Sequence, residues 1–273
     1  MPKMGRYNSS EISMNRILSA IKSRLDDIPH SIAWQNDSFA KKNRESILFF
    51  KGIHTGERCF IIANGPSLKN TNLELLNNDI TFGLNRIYLN FENSPFRPTY
   101  YLAVNELILE QFCQEISGLE MPKFINWNQR AYFNHSIKNT FYLKPKLVVK
   151  DVFQKDSTKP MVFGASVTFA ALQLAYYMGF QKVILVGLDH NYAEKGIPNT
   201  TELRKNDLDE SHFDNQYFPK GVKWQLPDLS RANLDYDIAR KVYELDGKEI
   251  VDTTIGGKCS VFNKVDYLSL FKN

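Results

Sequence analysis

From residue 58 onward the chain alternates short, continuous apolar runs with longer helix-length stretches. Cys59-Phe60-Ile61-Ile62-Ala63 and Lys182-Val183-Ile184-Leu185-Val186-Gly187 show no polar alternation, the pattern of strands buried on both faces. Residues 80–85, 99–105, 123–127 and 249–252 read as further strands. Residues 106–117, 165–178 and about 228–245 have helical length, and Met178-Gly179 closes the Ala/Leu-rich middle helix. Helix 165–178 followed by the strand at 182–187 is the second half of a βαβ unit. Residues 190–220 hold few apolar positions and read as a long loop or lid. The alternation predicts an α/β, Rossmann-like domain, a mainly parallel sheet with helices on both faces.

Upstream the period changes. Ile17, Ile21, Leu25 and Ile28 recur at helical spacing among Arg16, Lys22 and Arg24, and Pro29 is read as the end of that helix. A second helix is expected at about 38–50, followed by the turn Lys51-Gly52-Ile53-His54-Thr55-Gly56. Residues 1–56 therefore read as an N-terminal helical extension, and 57–273 as the Rossmann-like domain with its lid at about 190–220.

Composition narrows the class. Of 273 residues, 43% are hydrophobic, enough apolar side chain to offset the ordering entropy of folding. The longest apolar stretch, 165–180, is interrupted by polar residues and shorter than the roughly 20 that span a bilayer. The opening MPKMGRYNSSEISMNR has no apolar run, so no signal peptide is expected. Three scattered cysteines, without CxxC, suit a reduced cytoplasmic protein and no structural zinc site. Net charge is +4, and residues 1–58 carry all of it, with ten Lys/Arg against six Asp/Glu. That is too little for a nucleic-acid binder. The basic segment could touch the inner face of an anionic membrane, or the extension could pair two subunits in a homo-oligomer.

In open parallel sheets, ligands sit beyond the C-terminal strand ends. Those ends carry Asn64, Gly65, Pro66 and Ser67; Asn85 and Arg86; Asn105; and Asp189, His190, Asn191 and Tyr192. An amide side chain both donates and accepts, which suits a base or ribose edge. Gly65-Pro66-Ser67 is read as a helix start presenting N–H groups to phosphate. Neither GxGxxG nor GxxxxGK[ST] is present, which disfavours dehydrogenase-type and P-loop sites. A sugar transfer needs a base for the acceptor hydroxyl, and His212 in the lid is the first candidate, His190 the second. His30, His54 and His135 are expected to be structural or exposed. Asp207-Leu208-Asp209 and Asp235-Tyr236-Asp237 have the DxD form that can hold Mg²⁺. Arg86, Tyr192, Arg204 and Lys220 are candidates to meet charge on a departing phosphate. The aromatic, basic segment 217–224 could stack on a sugar or clasp the lid to the body.

Phe60-Ile61-Ile62-Ala63-Asn64-Gly65-Pro66-Ser67-Leu68-Lys69 resembles the N-terminal motif of the bacterial family 42 sialyltransferases. The order continues through Asn85, Asn105, Gly164-Ala165-Ser166-Val167 and Gly179 to Asp189. The chain is closer still to the MptE-like (6-hydroxymethylpterin diphosphokinase-like) family of surface-polysaccharide loci, which includes the central domain of the motility accessory factors. The resemblance covers about residues 58–262. It implies a transferase that takes a nucleotide-sugar donor, CMP-linked and sialic-acid-like, with no tightly bound cofactor, and modifies a surface glycan or glycolipid precursor. It further implies that Asn64, Asn85, Asn105, Ser166 and Asp189 surround the nucleotide and that Tyr192 or Tyr217 holds the phosphate. A gapless match sets the family's base at Gln216 rather than at His212. The MptE-like name itself implies the alternative, a pyrophosphate transfer from ATP to a pterin with Mg²⁺. A non-catalytic nucleotide-binding module is the third reading.

Overall fold

A computed structural model describes residues 14–133, 138–147 and 152–272, with side chains from residue 21 onward. His135 and the Ile17 side chain lie outside the described residues. The chain divides into two compact units, residues 1–41 and 42–273.

In the smaller unit, helix α1 (Met14–Asn36) runs straight through Pro29, so the expected stop there is wrong. Proline removes one N–H bond, to the carbonyl of Leu25. Leu25, Ile28 and Pro29 are all exposed, so water can satisfy the freed carbonyl and the helix continues. Ile21, Leu25, Ile28 and Ile32 form an exposed apolar stripe along it. The next helix, α2 (Ser38–Leu48), begins in this unit.

The larger unit is built on eight parallel strands in the order β10-β9-β6-β1-β2-β3-β4-β5. These are β1 (Arg58–Ile62), β2 (Ile80–Leu84), β3 (Tyr100–Ala103), β4 (Lys123–Asn126), β5 (Thr140–Leu143), β6 (Lys182–Val186), β9 (Glu249–Asp252) and β10 (Asn263–Lys264). The chain leaves β1 on one side and returns as β6 on the other, so the β1/β6 boundary is the topological switch point. Central strands are buried on both faces, which is why their sequences are continuous apolar runs.

One face is covered by α5 (Val167–Met178) and α6 (Leu229–Leu245), whose side chains share a core with Ile61, Phe82 and Val183. Residues 42–56 belong to this unit too: Asn43 exchanges two hydrogen bonds with the Tyr142 backbone, and Ile47 is wholly buried. Gly179 caps α5 at φ 96°, and a Cβ there would meet Thr55 Oγ1 at 2.7 Å. The opposite face is dressed by short 3₁₀ turns; Phe60 stacks on Phe271 of the turn Leu268–Phe271.

The stretch expected as a helix at 106–117 is two short helices, α3 (Glu106–Gln111) and α4 (Cys113–Ser117), broken at Phe112. After Pro66 the chain forms only a five-residue 3₁₀ turn, Pro66–Asn70. The segment read as a loose lid is a folded flap. It pairs β7 (Thr201–Leu203) with β8 (Lys223–Gln225), antiparallel. Gln111 clips β8 to α3, donating to Lys223 O at 2.8 Å and accepting from Lys223 N at 2.7 Å. Among the described residues no helix is long and apolar enough to cross a membrane.

Candidate functional site

A cleft of about 180 Å³ opens at the C-terminal end of the sheet, over the switch point and under the flap. The strand tips form its rim. Asn64 follows β1 and donates from Nδ2 to Leu84 O at 2.9 Å, lacing the tip of β1 to that of β2. Asn126 does the same between β4 and Val104 O at 3.2 Å, and Asn105 caps α3 by accepting from Ile108 N at 3.1 Å. Part of the asparagine pattern is therefore architectural. Two acceptors remain: the buried Oδ1 atoms of Asn64 and Asn85, both cleft-lining residues, have no hydrogen-bond partner. An unpaired buried carbonyl costs about 1–3 kcal/mol, which a ligand donor would recover. Asn85 and His190 also hold left-handed backbone at φ 47° and 54°, and His190 Nε2 is a third buried atom without a partner.

Gly65 and Asp189 meet at the switch point. Asp189 accepts from Ser67 N at 3.1 Å and from Ser67 Oγ at 2.6 Å. A Cβ on residue 65 would lie 1.9 Å from Asp189 Oδ2 and 2.7 Å from its Cβ, so only glycine fits. Burial pushes the Asp189 carboxyl up, against the hydrogen bonds from Ser67 that pull it down. This corrects the expectation that the Gly65-Pro66-Ser67 turn presents its N–H groups to phosphate. A carboxylate already occupies it, and like charge would repel a second anion. Pro66 and Ser67 do not line the cleft. The helix start that lines the cleft is that of α5, through Ala165, Ser166, Val167 and Thr168; its N–H groups are partly taken, Thr168 N by the Ser166 hydroxyl at 3.2 Å and Ala165 N by Asp235 at 2.8 Å.

The flap supplies the other wall. His212 is buried there, its ring stacked on Tyr217 at 3.9 Å with 3° between the planes. His212 Nδ1 meets the fully buried Asp209 carboxylate at 2.9 Å and 3.0 Å. Burial would push the Asp209 carboxyl up, but hydrogen bonds from His212 and Ser211 and the nearby Arg204 charge outweigh it and hold it below the usual range. Asp209 is thus an acceptor, Nδ1 carries the proton, and Nε2 on the far side of the ring is left as the basic nitrogen.

Arg86 does not reach the cleft. Its guanidinium lies 3.8 Å from the Phe112 ring centre and donates to the carbonyls of Gln216 and Tyr217, while Phe213 N donates to Asn64 O at 2.9 Å. These contacts latch the flap to the sheet, and the buried Tyr217, Phe218 and Trp224 complete the clasp. Arg204 is buried against Glu194, and Lys220 lies on the surface 3.3 Å from Asp207, so neither lines the cleft. In neither DxD run do the two carboxylates share a partner. Asp207 faces Lys220 while Asp209 faces His212; Asp235 accepts from Ala165 N at 2.8 Å while Asp237 pairs with Arg240 and Lys241. Gln216 is exposed and away from the cleft. His54 is structural, bridging Glu57 and the Tyr100 hydroxyl at 2.7 Å each.

Of the sequence-nominated residues, Asn64, Gly65, Asn85, Asn105, Ser166, Asp189, His190, Asn191, Tyr192, His212 and Tyr217 line one cleft; Pro66, Ser67 and Arg86 support it from behind. The sequence reading missed Asp209 as the partner of His212, and missed Ser211, Glu194 and Asp228. The Asp-x-x-His spacing of 209 and 212 was the available signal.

No curated protein matches the chain. A solved structure described as MAf glycosyltransferase from Magnetospirillum magneticum AMB-1 is similar at 12% identity and a TM-score of 0.48, over 84% of this chain. This chain spans 38% of that protein's length. The family model described as 6-hydroxymethylpterin diphosphokinase MptE-like matches residues 35–195, which include the sheet rim through Asp189 and stop short of Asp209 and His212. Matched over more than half its length, the chain belongs to the MptE-like family.

Proposed function

We propose that this protein transfers a sugar from a nucleotide-activated donor, CMP-linked and sialic-acid-like, to a surface glycan or glycolipid precursor. The observation that carries the reading is the pairing, across one cleft, of a carboxylate-oriented imidazole with two unpartnered amide acceptors. The Oδ1 atoms of Asn64 and Asn85 suit the amino group of a cytosine or the hydroxyls of a ribose. The phosphate lies toward the start of α5, where the N–H groups not held by Asp235 and the Ser166 hydroxyl receive the charge that builds as it departs. His212 Nε2 takes the proton of the acceptor hydroxyl. The hydroxyl oxygen forms its bond to the anomeric carbon as the bond from that carbon to the phosphate oxygen breaks, and the electron pair leaves with CMP. Tyr217, stacked under the ring, and Asp209, behind it, keep the imidazole in that orientation.

The cleft's charge favours this over pyrophosphate transfer from ATP. Among the described residues lining it, none is Lys or Arg, a poor match to a triphosphate. Its two carboxylates are committed, Asp189 to Ser67 and Asp228 to Arg231 N and Asn199. The described residues contain no cluster of three His, Cys, Asp or Glu able to hold a metal ion by themselves.

Thermal shift with CMP, CDP, UDP, GDP and ATP, each with and without Mg²⁺, tests the reading. Selective stabilisation by CMP or CDP is expected. Stabilisation by ATP only with Mg²⁺ would overturn it in favour of the diphosphokinase. His212→Ala should slow CMP release from a CMP-linked nonulosonic acid by about 10²–10⁴-fold, with CMP affinity held within about threefold. Unchanged release would remove His212 as the base. CMP binding without release by the native chain would point to a non-catalytic nucleotide-binding module.

A further inference from the structure

Behind His212 the flap buries a line of charges, Glu194, Arg204 and Asp209, none of which lines the cleft. One Arg204 nitrogen, Nη1, pairs with Glu194 Oε1, while the other, Nη2, lies 3.8 Å from Asp209 Oδ1 and donates to Leu208 O at 3.2 Å. Glu194 Oε2 accepts from Ser211 Oγ at 2.5 Å, and Asp209 Oδ1 accepts from Ser211 N at 2.9 Å. The Arg204 and Asp209 side chains are 3% and 0% exposed, and Glu194 is 16%. The guanidinium sits 5.1 Å from the Trp224 ring centre, and its Nε has no partner.

With a neutral imidazole, this cluster holds two carboxylates and one guanidinium, a net charge of one negative. A proton on His212 neutralises it. Removing either outer member changes that sum, and the two changes have opposite sign. We infer that Glu194 and Arg204 are positioning residues that set the proton affinity of His212 from behind. Glu194 raises it, by holding Arg204 off Asp209 and adding negative charge; Arg204 lowers it. The inference rests on reading His212 as the base, and gives that base its strength from residues that never touch substrate. The titratable groups facing His212 are Asp209 at Nδ1, Tyr217 stacked on the ring and Tyr192 edge-on at 5.9 Å, with Asp189 on the same cleft. A purely structural clamp would behave differently: loss of either member would loosen the flap and move the His212 titration in the same direction in both cases.

NMR titration of the His212 imidazole in the full chain, assigned by the resonance lost in His212→Gln, separates the two. Glu194→Gln should lower the His212 pKa by about one unit and Arg204→Met should raise it by about as much, the size expected for unit charges several ångströms apart in a protein interior. The double variant restores the net charge and should return within about 0.3 unit of the native value. Shifts of the same sign in both single variants, or neither beyond about 0.3 unit, would overturn the inference. Should Arg204→Met fail to fold by circular dichroism, Glu194→Gln decides alone: a fall supports the inference, and a rise or no change overturns it. Arg204→Lys, which keeps the charge, should stay near native. The nucleotide panel reads binding and this titration reads proton affinity, so failure of one reading is distinguishable from failure of the other.

Discussion

A carboxylate anchors each wall of the cleft, Asp189 at the sheet rim and Asp209 behind His212 in the flap, and the two do different work. On the sheet side Asp189 grips the amide and hydroxyl of Ser67, and burial leaves its carboxyl above the ordinary range. On the flap side Asp209 is more deeply buried, yet the His212 ring, Ser211 and Arg204 hold it below that range. The residue type is the same and burial is strong in both. What differs is the partner: the amide and hydroxyl of a neutral turn in one case, an imidazole N–H and a nearby cation in the other. Burial alone therefore does not mark an acid as functional; the group it orients does.

Four substitutions sharpen this contrast, from the largest effect to the smallest. Gly65→Ala drives a Cβ into Asp189 and breaks both of its bonds to Ser67. Chemical denaturation should show a loss of about 3 kcal/mol. Arg86→Ala removes the flap's latch, two charge-assisted bonds and the stack on Phe112, for about 2–3 kcal/mol. Hydrogen exchange should rise across 205–218 before it rises in the sheet; uniform loosening would contradict the division into two walls.

Asp209→Asn should cost about 1–2 kcal/mol at pH 7. Because the folded carboxyl sits below its unfolded value of about 3.9, its stabilisation is present above that pH and lost as pH falls through the folded value. The gap between native and variant should therefore close in acid. Asp189→Asn should be the mildest, within about 1 kcal/mol, and opposite in trend. Its folded value is raised, so what the acid contributes is present below about pH 4 and lost as pH rises through the folded value. The variant should thus compare best with the native chain at neutral pH and worst in acid. Parallel pH trends for the two variants would erase the distinction between the walls.

Sheet and rim were legible because both are local in sequence. A doubly buried strand shows as an unbroken apolar run, as in β1 and β6, and the residue after it is the rim residue by construction. The edge strands β5 and β10 were not read: Thr140–Leu143 is only half buried, and Asn263–Lys264 is two exposed residues, too short to carry a period. Pro29 was read by its local cost, which an exposed helix side offset. Ser67 was read by its place at a turn, and its occupant, Asp189, is 122 residues away. The flap was least legible. Its low apolar content suggested a loose loop, yet Arg86, Gln111 and Asn64 fasten it from three distant elements. Asp209 fitted a DxD pattern, which masked its Asp-x-x-His spacing to His212, the pair the fold brings together.

The central claim, one nucleotide held between asparagine rim and flap, is tested most directly by a crystal structure of the full chain at saturating CMP. The expected result places donor groups of the base or ribose on the free Oδ1 atoms of Asn64 and Asn85, with the phosphate at the start of α5 and His212 Nε2 open toward the bound nucleotide. Ordered CMP bound elsewhere, or an unchanged cleft at a concentration that calorimetry shows to be saturating, would contradict it.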